Sequence, residues 1–141
     1  MNRAALVHRA SFDERLPWLA GLHTPAEDQW FYRERVFPKC TVWSAFGNDL
    51  LIGIIAFRED WIDQLYVLPG AQGTGVGTAL LGIAKSQARS LSLWTFQRND
   101  AARGFYEKRG FIVTKVTDGS ENEEREPDVL YSWVASEEAM R

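Results

Sequence analysis

At 141 residues, with 45% hydrophobic and 25% charged side chains, the chain has the length and composition of one folded domain, which excludes a disordered segment. A formal net charge of −3 leaves no basic footprint for nucleic acid, and no apolar run approaches membrane-spanning length. Cys40 is the one cysteine, so no internal disulfide forms; with an N-terminal stretch lacking a signal-peptide core, this points to the reducing cytoplasm.

Taken in chain order, Leu6–Ala10 reads as a short first strand. Ser11 or Asp13 caps a helix running to about Leu22, and Pro25 suits the first turn of a second helix over about 26–36. Thr41–Phe46 is a strand, Gly47–Asn48–Asp49 a turn, and Leu50–Phe57 a nearly continuous apolar strand of the kind covered on both faces. Trp61–Val67 is the next strand, and period-two alternation puts Trp61, Asp63, Leu65 and Val67 on one of its faces. Val76, Leu80, Ile83, Ala84 and Leu91 trace an apolar stripe on the helix that follows. Leu91–Phe96 is a strand, residues 99–109 a helix, and Phe111–Val116 and Val129–Val134 close the sheet. Strands and helices interleave without repeat or linker, which predicts a single mixed α/β domain over 1–141. Cys40 reads as a packing residue, since no His or acid partner in the sequence marks it as a nucleophile.

Two segments carry chemistry. Leu65–Tyr66–Val67–Leu68–Pro69 is followed by Gln72–Gly73–Thr74–Gly75–Val76–Gly77–Thr78, a glycine-punctuated loop that feeds a helix. Glycines let a ligand approach the backbone, and the first amides of a helix lack intrahelical partners, so this junction suits a phosphate or pyrophosphate. The glycines at 73, 75 and 77 do not make G-x-G-x-x-G, and no Lys–Ser or Lys–Thr follows them as in a P-loop. The pattern is Q-x-x-G-x-G behind V-x-P. Downstream, residues 99–111 read N-x-x-A-x-x-F-Y-x-x-x-G-F: Asn99 or Asp100 caps the helix, Ala102, Phe105 and Tyr106 face inward, and Gly110 ends it.

Together these motifs resemble the GNAT N-acyltransferase superfamily over roughly residues 60–113. The resemblance implies an about seven-stranded, mixed, splayed sheet flanked by about four helices. It implies acetyl-CoA as acyl donor, threaded between strands, and a primary amine, expected to be a small molecule, as acceptor. Backbone groups of Leu65, Tyr66 and Val67 would pair with the pantetheine; Gln72, Gly73, Thr74, Gly75, Val76, Gly77 and Thr78 would hold the pyrophosphate, and Asn99 would contact the pantetheine arm. Tyr106 matches the family's usual general acid, which gives its proton to the departing thiolate. The base is less plain. An alkyl ammonium is neutral about once in 10³ molecules at pH 7, a cost of roughly 4–5 kcal/mol unless a group removes the proton. Asp63 is the best-placed carboxylate, acting through water; a solvated carboxylate or a substrate anchor are its other readings. Trp94 stands where some relatives carry a glutamate, and Glu59 and Asp60 suit a turn.

No metal, nucleic acid or membrane is implied, and exposed sheet edges leave a homodimer open. The connection Thr117–Asp128 holds Glu121, Glu123, Glu124, Glu126 and Asp128 against Arg125, either a steering surface for a cationic amine or a solvated hairpin tip. Trp30, Phe31 and Tyr32 either line the acceptor pocket or pack the core. Two other functions stay open: acetylation of a protein N-terminus or lysine, and a non-catalytic acyl-CoA-binding module.

Overall fold

A computed structural model describes residues 2–21 and 23–136. Its helices are α1 (Asn2–Arg15), α2 (Pro25–Phe31, continued by a π-helical turn Tyr32–Val36), α3 (Val76–Ser86) and α4 (Asp100–Glu107). Its strands are β1 (Thr41–Gly47), β2 (Leu50–Arg58), β3 (Trp61–Val67), β4 (Ser90–Phe96), β5 (Ile112–Val116) and β6 (Asp128–Val134). They form one sheet in the order β1-β2-β3-β4-β6-β5, in which only the β3–β4 pair is parallel.

The N-terminal expectation is corrected. Leu6–Ala10 lies inside α1, so the described sheet has six strands, not seven. Ala4, Val7 and Ser11 are buried at helical spacing while Leu6 is 58% exposed, a pattern a strand does not produce. The helix stops at Arg15, short of Leu22, which lies outside the described residues. The cause is Pro17: the residue before a proline is pushed out of helical geometry, and Leu16 has φ −132° and ψ 61°. A short 3-10 turn, Pro17–Leu19, follows. The second helix starts as its sequence predicts. The Thr24 hydroxyl accepts from the Glu27 N–H at 3.1 Å, the Glu27 carboxylate accepts from the Thr24 N–H at 2.9 Å, and Pro25 fills the first turn.

The β1–β2 reversal turns on Asn48 (φ 51°) and Asp49 (φ 65°), the left-handed pair a tight hairpin needs. α3 ends at Ser86, so Leu91 belongs to β4 and not to the helical stripe, although it packs in the same core as Leu80 and Ala84. One core, with Ile55, Leu81, Leu93 and Phe111, lies under α3 and α4; the other, with Val7, Tyr32, Val36 and Ile54, lies under α1 and α2. Among the described residues no helix is long and apolar enough to cross a membrane.

Two irregularities position the site. In β3, Gln64 pairs with Ala56 and Ile62 with Phe57, which leaves Asp63 as the extra residue of a bulge. The bulge breaks the expected alternation. Ile62 joins Leu65 in the α3–α4 core, and Asp63 instead meets Cys40 on the α1–α2 side. The second irregularity is the join of β3 to β4, whose one ladder pair among the described residues is Trp61↔Ser92. Beyond it the strands part.

Gly53 lets β2 lie directly beneath the start of α3. A Cβ there would sit 2.8 Å from Val76 Cγ1 and 3.2 Å from Leu80 Cδ1. The short branched Val76 has little room to yield, so Gly53→Ala should destabilise the fold by about 1–2 kcal/mol, lowering the thermal midpoint by a few degrees. An unchanged or raised midpoint would show that α3 does not rest on this strand.

Candidate active site

The glycine loop is built as its sequence suggests, with each glycine in a different role. After β3 the chain makes a 3-10 turn, Pro69–Ala71, and Gln72 then anchors the loop: its Nε2 donates to the Val67 carbonyl at 2.9 Å, and its Oε1 accepts from Arg15 of α1. Gly73 (φ 79°) and Gly75 (φ 92°) are left-handed, and Gly75 caps α3. Gly77 permits close packing on α4, since a Cβ would lie 3.2–3.3 Å from the Phe105 ring. The first in-helix bond runs from the Ala79 N–H to the Gly75 carbonyl at 3.0 Å, so the amides of Val76, Gly77 and Thr78 have no helical partner.

Gly77 and Thr78 of this first turn border a cleft of about 390 Å³ between the parted strands. Leu65, Tyr66 and Val67 line one wall, Leu93–Phe96 the other, and Asn99, Ala102, Phe105 and Tyr106 close it from α4. Gly73, Gly75, Gly77 and Thr78 sit at its mouth with Gln72. Thr74 and Val76 do not line it: the Thr74 hydroxyl donates back to the Ala71 carbonyl, and Val76 packs over Gly53. Asn99 is the N-cap of α4, and its Oδ1 accepts from the Ala102 N–H at 3.2 Å, leaving the side-chain NH₂ uncommitted. Tyr106 is 8% exposed among Phe105, Phe111 and Tyr131. Burial, helped by the nearby Tyr66, holds its phenol above the ordinary range and therefore protonated at neutral pH. Two cations on this cleft escaped the sequence reading, Arg15 and Arg109; the second was findable, because it falls one helical turn beyond Tyr106.

A second cavity, about 670 Å³, lies on the α1–α2 side and shares Phe12, Asp63, Gln64, Tyr66, Trp94 and Phe96 with the cleft. Trp30 and Phe31 line it, whereas Tyr32 is fully buried in the core beside it. The Tyr32 hydroxyl pairs with His8 Nδ1 at 2.8 Å, and the His8 ring stacks on Tyr66 at 4.1 Å. Burial, with Arg9 adjacent, lowers His8 from 6.5 to about 4, so it is neutral near pH 7. Arg9 is neutralised by a two-point pair to Asp28, both contacts at 2.8 Å. Asp63 accepts from Arg58 at 2.8 and 3.3 Å and from the Cys40 thiol at 3.3 Å. Burial and that carboxylate push Cys40 up to about 11, so it stays a thiol and packs.

The acidic connection is a wall of this cavity, folded on itself. Asn122 Nδ2 donates to the Glu126 carbonyl at 2.7 Å and to Asp128 at 3.2 Å, the Thr117 hydroxyl bonds Asp128, and a Cβ on Gly119 would lie 2.4 Å from the Glu126 backbone. Trp18 Nε1 donates to Glu126 at 2.8 Å, and His23 meets Glu123 at 3.1 Å, which ties the loop to the segment between α1 and α2. Glu123 and Glu124 border the cavity. Among the described residues, Glu124 has no ion-pair partner within 4 Å, and no three His, Cys, Asp or Glu side chains converge as metal ligands would.

Comparison with known proteins places this architecture. The profile of the Acetyltransferase (GNAT) family matches residues 7–111. The chain is 35% identical over 78 residues to peptidyl-lysine N-acetyltransferase YjaB of Escherichia coli K12, covering 55% of this chain and 53% of that one. It is also 35% identical over 82 residues to a probable N-acetyltransferase of Mycobacterium tuberculosis, covering 52% and 47%. In these matches the chain spans about half the length of its curated relatives. The fold itself is shared more widely. The solution structure of apo YjaB superposes with a TM-score of 0.76 at 24% identity, over 94% of this chain and 89% of that one. PaiA N-acetyltransferase of Thermoplasma acidophilum, solved with coenzyme A, superposes with a TM-score of 0.67 at 20% identity, over 94% and 91%. By its matched length, its two motifs and its parted sheet, the chain belongs to the GNAT family of acetyltransferases.

Proposed function

We propose that the chain moves an acetyl group from acetyl-CoA to a primary amine by direct attack on the thioester. The observation that carries this reading is the meeting of two cavities where β3 leaves β4, with Tyr106 beside the Tyr66 that both share. A donor lying along the parted strands pairs with the backbone edge of β3 at Leu65–Val67, where the Val67 carbonyl already accepts from Gln72, its pyrophosphate rests on the loop from Gln72 to Thr78, and the Asn99 amide meets the pantetheine. The amine arrives from the wider cavity. As its nitrogen bonds to the carbonyl carbon the C–S bond breaks, and Tyr106 delivers its proton to the leaving sulfur. The amine's own proton leaves through water ordered by Asp63. An ionised carboxylate offers about four acceptor sites, of which Arg58 and Cys40 occupy three. The fourth is left for that water.

The aromatic lining of the acceptor cavity, with Trp30 and Phe31, supports a small-molecule amine, and its acidic wall supports a cationic one. Acetylation of a peptide lysine is the second reading, favoured by the naming of YjaB as a peptidyl-lysine N-acetyltransferase. A cytoplasmic location accords with the free thiol of Cys40.

Tyr106→Phe should lower kcat by about 10²–10⁴-fold while leaving acetyl-CoA affinity nearly unchanged, as measured by steady-state kinetics beside calorimetric binding. Equal turnover by the variant would remove Tyr106 as the acid. A second outcome concerns the neutral His8. Its folded value near 4 lies below the ordinary 6.5, so the unfolded chain takes up the extra proton as pH falls. The stability His8 contributes is therefore fully present above about 6.5 and is lost as pH drops through about 4, an effect on the order of 3 kcal/mol. His8→Asn should lose less stability than the parent between pH 7.5 and 4.5 in denaturant titrations; parallel losses would place His8 in water.

A further inference from the structure

Coenzyme A carries a phosphate on its ribose 3′-hydroxyl besides the pyrophosphate, and the amides of the glycine loop account only for the latter. Arg109 has the features of a residue waiting for the other. It lines the cleft from the end of α4 and reaches the first turn of α3, where its Nη2 and Nε donate to Thr78 Oγ1 at 2.7 and 3.2 Å. Its Nη1 donates to the Phe105 carbonyl at 2.9 Å, and the guanidinium lies 3.8 Å from the centre of the Phe105 ring. Three contacts and a stacking surface fix a side chain that is otherwise flexible, so little freedom remains to be lost on binding.

Fixed in this way, the guanidinium has no counter-charge. Among the described residues Arg109 makes no ion pair, as is true also of Arg3, Arg15, Arg35, Arg89 and Arg125; of these arginines only Arg15 and Arg109 line the cleft. Its charged neighbour is Lys85, whose ammonium donates to the Arg109 carbonyl at 2.6 Å; burial and the Arg109 charge both lower that ammonium. Two cations thus lie together without an anion in a chain of net charge −3. A guanidinium has five N–H donors, so two stay available. Arg109 also fills both acceptor positions of the Thr78 hydroxyl, which leaves that hydroxyl its proton to donate. Arg15, the other arginine on the cleft, is committed to Gln72 at the opposite end of the loop.

We propose that Arg109, with the Thr78 hydroxyl, binds the ribose 3′-phosphate of the donor and so distinguishes coenzyme A from dephospho-coenzyme A. The inference rests on acetyl-CoA being the donor. It is tested by measuring Kd for both ligands with the parent chain and with Arg109→Gln. The parent should bind coenzyme A about 10-fold or more tightly than the dephospho form, the scale of a charge-assisted hydrogen bond. In Arg109→Gln that advantage should vanish while affinity for dephospho-coenzyme A is kept, which also reports an intact fold. Equal parental affinities would overturn the proposal. So would equal weakening of both ligands by Arg109→Gln, which would put Arg109 on the pyrophosphate. If neither ligand binds the parent, the donor reading itself fails.

Discussion

β3 and β4 are parallel neighbours that pair once, at Trp61 and Ser92, and then diverge, and the arrangement of the molecule follows from what that divergence leaves exposed. β3 remains bonded to β2 as far as Val67, and β4 remains bonded to β6 as far as Phe96. Each strand therefore turns one unpaired edge toward the gap, and backbone donors and acceptors withdrawn from water need partners. An extended ligand with amide groups supplies them as a missing strand would. The bulge at Asp63 lies two residues beyond the last pair, and a bulge increases local twist, so the kink that shifts Asp63 to the α1–α2 side also helps lead β3 away from β4.

The two sides of the gap differ in charge. Where the cleft meets the glycine loop, its mouth is bordered by the start of α3, by Arg109 from the end of α4 and by Arg15, which reaches across from α1 to Gln72. On the α1–α2 side Arg9 is cancelled by Asp28 and His8 is neutral, while Glu123 and Glu124 stand at the rim. On the proposed reading, that asymmetry would draw an anionic donor and a cationic acceptor to opposite sides of the gap, with Tyr66 and Tyr106 between them. Trp94, on the wall common to both cavities, gives the junction an apolar surface.

Much of this was legible in the residues because its causes are local. The glycine loop, the Asn99 cap, Gly110 (φ 91°) and the Asn48–Asp49 turn all depend on backbone preferences within a few positions. α1 was misread because its apolar side chains spread around the helix without a clear stripe, so that Leu6–Ala10 imitated a strand; only packing on β2 and β3 decides which of them are buried. The bulge at Asp63 was invisible because register belongs to a pair of strands. The sequence leaves the acidic connection between a steering surface and a solvated tip because its organising bonds, Trp18 to Glu126 and His23 to Glu123, join residues about a hundred positions apart. The lack of an ion pair at Arg109 among the described residues carries no such local signal, because it is a property of the folded surroundings.

The central claim is that the parted strands and glycine loop hold a coenzyme A thioester. It is tested most directly by thermal unfolding with saturating acetyl-CoA, CoA, ATP and NAD in parallel. Ligand at about 100 times its Kd adds roughly 2.7 kcal/mol, several degrees in a domain of this size. The account predicts such a rise with acetyl-CoA and CoA and none with ATP or NAD. A rise with another nucleotide and none with acetyl-CoA would contradict it, and the acyl-transfer chemistry would fall with the cofactor.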